Sequence, residues 1–164
     1  MSTTPEKSTT PEKSTALKKM RTFIRSFPDA DILSQLSIDY TDSIPNCGGL
    51  FPSGLVKASS KSDILGNITV TNQCNFALYT VFAKSPQEDV GATYNADWLM
   101  SFQEWVQEQS EVGLAPIFGD EPRAESIVAQ NGAIYSADEE GIAVYAIQIS
   151  VTYMKKYRKG INHA

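Results

Sequence analysis

Few residues of this sequence are of the kinds that carry catalytic chemistry. Its only histidine, His163, lies one residue from the end of the printed sequence, where a chain is expected to fray. A catalytic triad or a multi-histidine metal site needs a histidine held firmly beside its partners. The sequence therefore argues against both kinds of site.

The other reactive or ligand-forming residues also favour structural explanations. Cys47 and Cys74 lack the spacing of metal ligands and are too few for a disulfide scaffold, so we expect two reduced thiols in a cytosolic setting. Gly48 and Gly49 stand outside any phosphate-binding motif and predict a turn. The acidic run at residues 138–140 lacks the alternating ligands of a calcium loop and predicts a hairpin tip. The sequence thus predicts no enzyme, no cofactor and no bound metal.

The charged residues are distributed unevenly along the chain. Of the 19 acidic residues, 12 lie between residues 88 and 140, a stretch with one basic residue, Arg123. Basic residues gather towards both ends: Lys18, Lys19, Arg21, Arg25, Lys155, Lys156, Arg158 and Lys159. One explanation is an ordinary solvated surface, and the other is an acidic face and a basic rim that dock against different neighbours. The net charge of −5 disfavours tight nucleic-acid binding.

Length and composition predict one domain flanked by polar segments. The 164 residues are 41% apolar, enough for one core, and no run approaches the roughly 20 apolar residues of a membrane span. Residues 2–13 are two copies of Ser-Thr-Thr-Pro-Glu-Lys, which can bury little apolar surface. We therefore predict a flexible arm at residues 1–15, a domain at residues 16–157 and a C-terminal tail at residues 158–164.

Helical spacing of apolar residues predicts two helices. The first covers residues 16–27, with Ser14 or Thr15 as its cap. The second is capped by Asn95 and ends at Gly113. Its apolar stripe places both tryptophans in the core and consists of Trp98, Leu99, Phe102, Trp105 and Val106.

Alternating apolar residues predict the strands. The clearest strand covers residues 142–154, with one face apolar throughout and the other largely polar. Shorter strands are predicted at residues 36–40, 55–58, 68–71, 76–82, 126–129 and 133–135. Residues 41–61 are otherwise expected to be irregular, residues 72–75 to interrupt a central strand, and residues 131–132 to turn a hairpin. The predicted class is α+β, with two helices packed on a mainly antiparallel sheet that ends in a long C-terminal strand.

From Asn95 onward, the order of segments resembles the phage minor capsid proteins encoded just before the major tail protein, a family similar to tail terminators. The segments that carry this resemblance are residues 102–106, 113–119, 127, 132–138 and 145–153, and earlier residues 24–28 and 76–84. They span most of residues 16–157. The hexads and the Gly-rich residues 46–54 have no counterpart in the family pattern.

The resemblance implies a structural virion protein of the tail–neck region, assembled in the host cytoplasm. Such subunits form a ring, expected to be a hexamer, that ends tail-tube polymerisation and joins the tail to the head connector. The implied partners are further copies of the chain, the tail tube protein and the connector or stopper protein, with no membrane. DNA would pass through the lumen without specific binding.

Individual residues receive roles within this hypothesis. The acidic side chains Glu104, Glu108 and Glu111 are expected to face the lumen or solvent and to repel DNA. Basic side chains near the first helix, Lys18, Lys19 and Arg25, are candidates for the interface. The N-terminal arm is expected to lie across a neighbour, so its removal should weaken assembly without unfolding the domain.

Two other classes of function remain open from the sequence. The first is a head-completion or stopper protein on the portal side of the same virion. The second is a small-ligand or peptide-binding module with a cleft beside the second helix, which an exposed sheet edge would favour. The ring number and the type of tail, contractile or not, are also open.

Overall fold

The computed structural model describes residues 15–83, 89–138, 141–158 and 160, which form two helices and one five-stranded sheet. The principal elements are α1 (Ala16–Arg25), β1 (Gln35–Ile38), β2 (Cys47–Ser62), β3 (Ile68–Ala83), α2 (Asp89–Glu111), β4 (Ser126–Ala137) and β5 (Ile142–Tyr157). Short 3-10 turns occupy Ala30–Ile32 and Pro122–Ala124. The predicted N-terminal arm and C-terminal tail, including His163, lie largely outside the described residues.

The sheet has the strand order β1-β2-β3-β5-β4. Only the first pair, β1 with β2, is parallel, and the other three pairs are antiparallel. This confirms the predicted α+β class with a mainly antiparallel sheet. It also confirms the central position that the apolar sequence of β3 predicts, because β3 lies between β2 and β5.

Strand β5 provides much of the inner face of the sheet. The alternating residues of its apolar face are all buried: Ala143, Tyr145, Ile147, Ile149, Val151 and Tyr153. On the opposite face Gln148 is exposed. The two faces that the sequence pattern predicts are therefore confirmed, and the strand continues three residues further, to Tyr157.

Helix α1 begins and ends close to the predicted residues. Thr15 caps it, since its Oγ1 accepts a hydrogen bond from the Lys18 backbone N–H at 3.3 Å. The last helical residue is Arg25, and Phe27 lies beyond the end yet is buried. The apolar side of the helix, with Met20, Phe23 and Ile24, covers the sheet.

Helix α2 packs beside α1 through an aromatic cluster. Phe102 is fully buried, stacks on Trp98 with ring centroids 5.6 Å apart, and meets Phe27 edge-on at 5.4 Å. The ring centroid of Trp105 lies 4.8 Å from that of Phe23. The predicted cap at Asn95 is wrong, because the helix begins at Asp89 and Asn95 is a buried residue within it. The Asn95 amide instead donates to the Ala83 carbonyl oxygen, which ties the helix to the end of β3.

The prediction of an irregular segment at residues 41–61 is right for residues 41–46 and wrong for residues 47–61, which belong to a strand that includes the short one predicted at residues 55–58. Strand β2 is 16 residues long and pairs with β3 along its length, with register shifts between Pro52 and Gly54 and between Lys57 and Ser59. Pairing with a long neighbour outweighs the low strand propensity of its glycines and serines. The bulges absorb the residues that would break a regular ladder.

Two further predicted interruptions are absent from the described sheet. Residues 72–75 pair with both β2 and β5, so β3 is continuous. Asn131, with a φ of 57°, forms part of an irregularity within β4 and does not turn a hairpin. The side-chain amide of Asn131 donates to Gln148 on β5 at 3.0 Å. The strands predicted separately at residues 126–129 and 133–135 are therefore one strand, β4, which pairs with β5 as a long hairpin.

Candidate interaction surfaces

The turn between β2 and β3, residues 63–67, forms a rigid tip that presents apolar side chains to solvent. The Asp63 carboxylate accepts hydrogen bonds from the backbone N–H groups of Leu65 and Asn67, each at 2.9 Å, and from the Asn67 side chain at 3.0 Å. These bonds, led by that from the Asn67 side chain, lower the pKa of Asp63. On this frame Ile64 is fully exposed and Leu65 is 78% exposed.

The outer edge of β2 leads to this tip. In the described sheet β1 pairs with β2 only over Cys47–Leu50, so the edge at residues 51–62 has no neighbouring strand. Leu55 and Val56 are more than half exposed there, and two lysines, Lys57 and Lys61, are the only charged residues of the segment. An unpaired edge of this kind is a template for contact with another chain.

The outer face of α2 carries the predicted acidic residues. Glu104, Glu108 and Glu111 are all exposed, as expected for a face directed to solvent or to a lumen. A groove of about 530 Å³ separates this face from β4, and Met100 lines it together with Glu104 and Glu111. The face is therefore accessible and acidic.

Helix α2 also covers part of the adjoining β4 edge. The backbone N–H of Ile127 donates to Ser110 Oγ at 3.1 Å, and that of Gly132 donates to Gln103 Oε1 at 3.2 Å. These side chains occupy two donors that an added strand would need. The edge at β4 is therefore less open than the edge at β2.

The basic residues Lys18, Lys19 and Arg25 lie on α1, a different helix from the glutamates. Lys19 Nζ donates to the Ile117 carbonyl oxygen at 2.9 Å and lies 6.0 Å from the Phe118 ring centre. Arg25 Nη1 donates to the Leu33 carbonyl oxygen at 2.6 Å. Lys19 and Arg25 thus hold loops of their own chain, and any interface role would add to that.

A second groove, which we call the α1 groove, lies between α1 and residues 115–117. It has a volume of about 590 Å³, and its lining is largely apolar: Lys19, Thr22, Phe23, Ser26, Ala115, Pro116 and Ile117. Ile117 and the neighbouring Leu114 are more than half exposed. The groove is therefore open and largely apolar.

The sheet face opposite the helices carries aromatic side chains. Phe51, Tyr79 and Tyr135 form a row, with edge-to-face contacts at centroid distances of 5.3 Å. Beside them Asn75 Oδ1 accepts hydrogen bonds from Gln73 and Ser150. In the part of the chain that the structure describes, the two shallow hollows on this face are lined without any charged side chain.

One buried carboxyl group, Glu125, organises the loop after α2. Its Oε1 accepts from the backbone N–H groups of Phe118 and Gly119, at 3.0 and 2.6 Å, while Oε2 has no partner among the described residues. Burial raises the pKa of Glu125, and the two backbone hydrogen bonds and the positive charges of Lys19 and Lys155 offset part of this. Its role in the fold is to shape the segment that forms one wall of the α1 groove.

Neither the tip nor the burial of Glu125 is predicted from the sequence. The tip is not predicted because the residues before it, 41–61, lack a clear strand pattern, although Asp63 followed by Gly66 and Asn67 is a turn signal. Nothing in the local sequence distinguishes Glu125 from the other acidic residues around it. Its burial depends on packing against residues 118–119 and β5.

No metal site or membrane-spanning helix is found in the described parts of the chain. Within those residues no group of three or more His, Cys, Asp or Glu side chains could hold a metal ion. None of the described helices is long and apolar enough to cross a membrane. Comparison of the sequence with protein-family models and with curated proteins finds no match.

Proposed function

We propose that this protein is a structural subunit that forms a ring at the head-proximal end of a phage tail. In this role it ends polymerisation of the tail tube and joins the tail to the head connector. The proposal rests on the order of sequence segments that resembles tail-terminator-like minor capsid proteins. The observation that carries it best is the apolar tip at the end of β2, residues 63–67, because a free sheet edge such as that at residues 51–62 suits a peptide-binding module as well.

An unpaired edge with exposed aliphatic side chains favours a protein that works as part of an assembly. Exposed strand edges are usually shortened, charged or covered in proteins that remain monomeric. Lys57, Lys61 and the two register shifts give this edge some protection, but Leu55 and Val56 remain more than half exposed beside them. Contact with other subunits would remove such surface from water.

The acidic face of α2 supports a role next to DNA that must move. Glu104, Glu108 and Glu111 are exposed on one helix, so their negative charges can face solvent or the lumen of a ring. Like charges repel, and a DNA strand would therefore slide past this face without adhering. The same face would be a poor surface for retaining nucleic acid.

The experiment that tests the proposal is the solution mass of the full chain with and without purified tail tube. A monomer or dimer that becomes a ring at the end of the tube supports the terminator role. A chain whose mass is indifferent to the tube contradicts it. Ring formation on a portal complex instead of the tube would indicate the stopper role on the other side of the neck.

A peptide-binding module is a second candidate, because a groove of about 530 Å³ lies between α2 and the edge strand β4. An extended peptide could lie there, but Ser110 and Gln103 already bind two N–H groups of that edge. Its acidic wall would select a basic peptide. Saturable binding of a basic peptide to the monomer, weakened by Glu104→Gln, would favour this function over the ring.

A further inference from the structure

We propose that the tip of one copy of this chain, residues 63–67, docks into the α1 groove of a second copy. The inference builds on the proposed ring, for which it names the contact between neighbouring subunits. It assigns Ile64 and Leu65 as the inserted side chains. It assigns the wall formed by Phe23, Pro116 and Ile117 as their receptor.

The tip is already shaped for insertion. Three hydrogen bonds to the Asp63 carboxylate fix the turn, and Gly66 adopts a φ of 83° that closes it. Ile64 and Leu65 are therefore held in water by a rigid frame, so little conformational entropy is lost when they become buried. A turn that needs only to connect two strands has no use for two exposed aliphatic side chains.

The tip cannot reach the α1 groove of its own chain. Strand β2 pairs with β3 as far as Ser62 and Ile68, and β3 in turn pairs with β5 from Ile68 opposite Tyr157. These ladders hold the turn in line with the strands, beyond the body of the sheet. Ile64 consequently remains fully exposed, and burial requires another molecule.

The α1 groove complements the tip in polarity and in charge. Its wall is formed largely by Phe23, Ala115, Pro116 and Ile117, which would accept aliphatic side chains. Lys19 stands on its rim, and the tip carries the ionised Asp63 next to its apolar residues. Insertion would bring opposite charges together at the edge of an apolar contact, as in interfaces with a polar rim.

Other occupants of the two surfaces are less compatible. Two tips that met each other would place Asp63 beside Asp63, which like-charge repulsion opposes. The N-terminal hexads have no apolar residue except proline between Met1 and Ala16, so they offer nothing to fill an apolar groove. A second copy supplies both apolar side chains and the matching charge.

A contact between a tip and a groove is heterologous, because the two surfaces lie in different places on the chain. After the first contact, one copy has a free groove and the other has a free tip, so the same contact can repeat. Such repetition yields a closed ring when the rotation between copies closes and a filament when it does not.

The test is disulfide trapping between two single-cysteine additions in the full-length chain. Leu65→Cys protein is mixed with Ile117→Cys protein at high concentration, with and without purified tail tube, under mild oxidation. Both positions are exposed, so neither variant should disturb the fold. The parent chain, with Cys47 and Cys74, gives the background, and Met100→Cys, exposed on α2, replaces Ile117→Cys in the matched control.

We expect a cross-linked dimer in the Leu65→Cys and Ile117→Cys mixture, several-fold more abundant than in the control mixture. A yield equal to that of the control would overturn the inference. Cross-linking of Leu65→Cys with itself at a comparable level would also overturn it, since that indicates a tip-to-tip contact. A ring that forms on the tube without the cross-link refutes this contact but leaves the proposed function standing. A cross-link without tube-dependent rings supports the contact and contradicts the proposed function.

Discussion

At the scale of single residues, the buried carboxyl group of Glu125 couples stability to pH. Its pKa is raised in the folded protein by burial, so the folded state holds the proton more tightly than the unfolded chain does. As the pH rises through the window between the ordinary and the raised pKa, unfolding releases a proton and becomes easier. We expect the free energy of unfolding to fall as the pH rises through that window.

The variant Glu125→Gln should lack this part of the pH dependence, because the amide does not titrate, while its oxygen can still accept from the Phe118 and Gly119 N–H groups. Denaturant unfolding at several pH values measures the slope. Glu104→Gln, at an exposed position, is the control and should retain the parent slope. An unchanged slope in Glu125→Gln would show that this carboxyl group is not the source.

Gly119 is required because the chain passes directly over β5 at that point. A Cβ atom placed there would lie 2.2 Å from the Met154 carbonyl oxygen. Because this oxygen belongs to the backbone, a side-chain rotation cannot remove the clash. We expect Gly119→Ala to lower the free energy of unfolding by about 1–3 kcal/mol, the usual range for overpacking. Thermal or urea unfolding provides the measurement.

Gly160→Ala serves as the comparison for that variant. Among the described residues, no heavy atom lies within 4 Å of a Cβ at Gly160, so the stability of this variant should stay within about 0.5 kcal/mol of the parent. Equal stability of the two variants would contradict the close approach at Gly119.

At the scale of elements, α2 is attached to the fold through a buried aromatic cluster that includes Phe102. Phe102 is fully buried and contacts the rings of Phe27, Trp98 and Trp105. Its replacement by alanine removes these contacts and leaves a cavity. We expect Phe102→Ala to cost about 3–5 kcal/mol of unfolding free energy, measured by urea denaturation.

The matched variant on the same helix is Met100→Ala, whose side chain is 60% exposed. It should change stability by less than about 0.5 kcal/mol. A similar loss in both variants would contradict core packing of Phe102 as the cause, since alanine favours the helix at both positions.

Elements with strict apolar periodicity could be predicted from the sequence, and elements held by their neighbours could not. The alternation from Ala143 to Tyr153 and the helical stripe from Trp98 to Val106 gave the right elements, because burial alone imposes those periods. Strand β2 has no such pattern, since most of its length is exposed, and its pairing with β3 is set by a long-range register. Asn131 is a strong hairpin signal locally, yet β5 runs past it as an unbroken partner.

At the scale of the whole molecule, the placement of charge gives the sharpest test of the lumen hypothesis. Neutralising Glu104, Glu108 and Glu111 to glutamine should raise the affinity of the assembled ring for double-stranded DNA several-fold at low salt. The increase should shrink as salt screens the charges. Filter binding or fluorescence anisotropy of the ring over a salt series measures both effects.

Neutralising the exposed Asp31 and Asp39, which lie on either side of β1, provides a charge control for that variant. It should leave DNA affinity nearly unchanged, because these carboxylates are not on α2. If the triple glutamine variant behaves like this control, the acidic face of α2 does not line the path of DNA.

Of the interaction surfaces, as of the elements, some could be predicted from the sequence and others could not. The acidic face of α2 followed from helical periodicity, and the structure leaves all three glutamates exposed. The α1 groove could not be foreseen, because it joins a helix to residues 115–117, almost a hundred residues away in sequence. The tip could not be predicted without knowing that β2 and β3 form one long hairpin.

The position of β5 also has a consequence for how the protein is made. β5 lies between β3 and β4 in the sheet, although it follows both in the chain. During translation, β4 therefore has no partner strand, and β3 lacks one of its two neighbours, until residues 142–157 have left the ribosome. The nascent chain cannot complete its sheet early, so subunits should become competent to associate only after nearly all of the described chain has been synthesised.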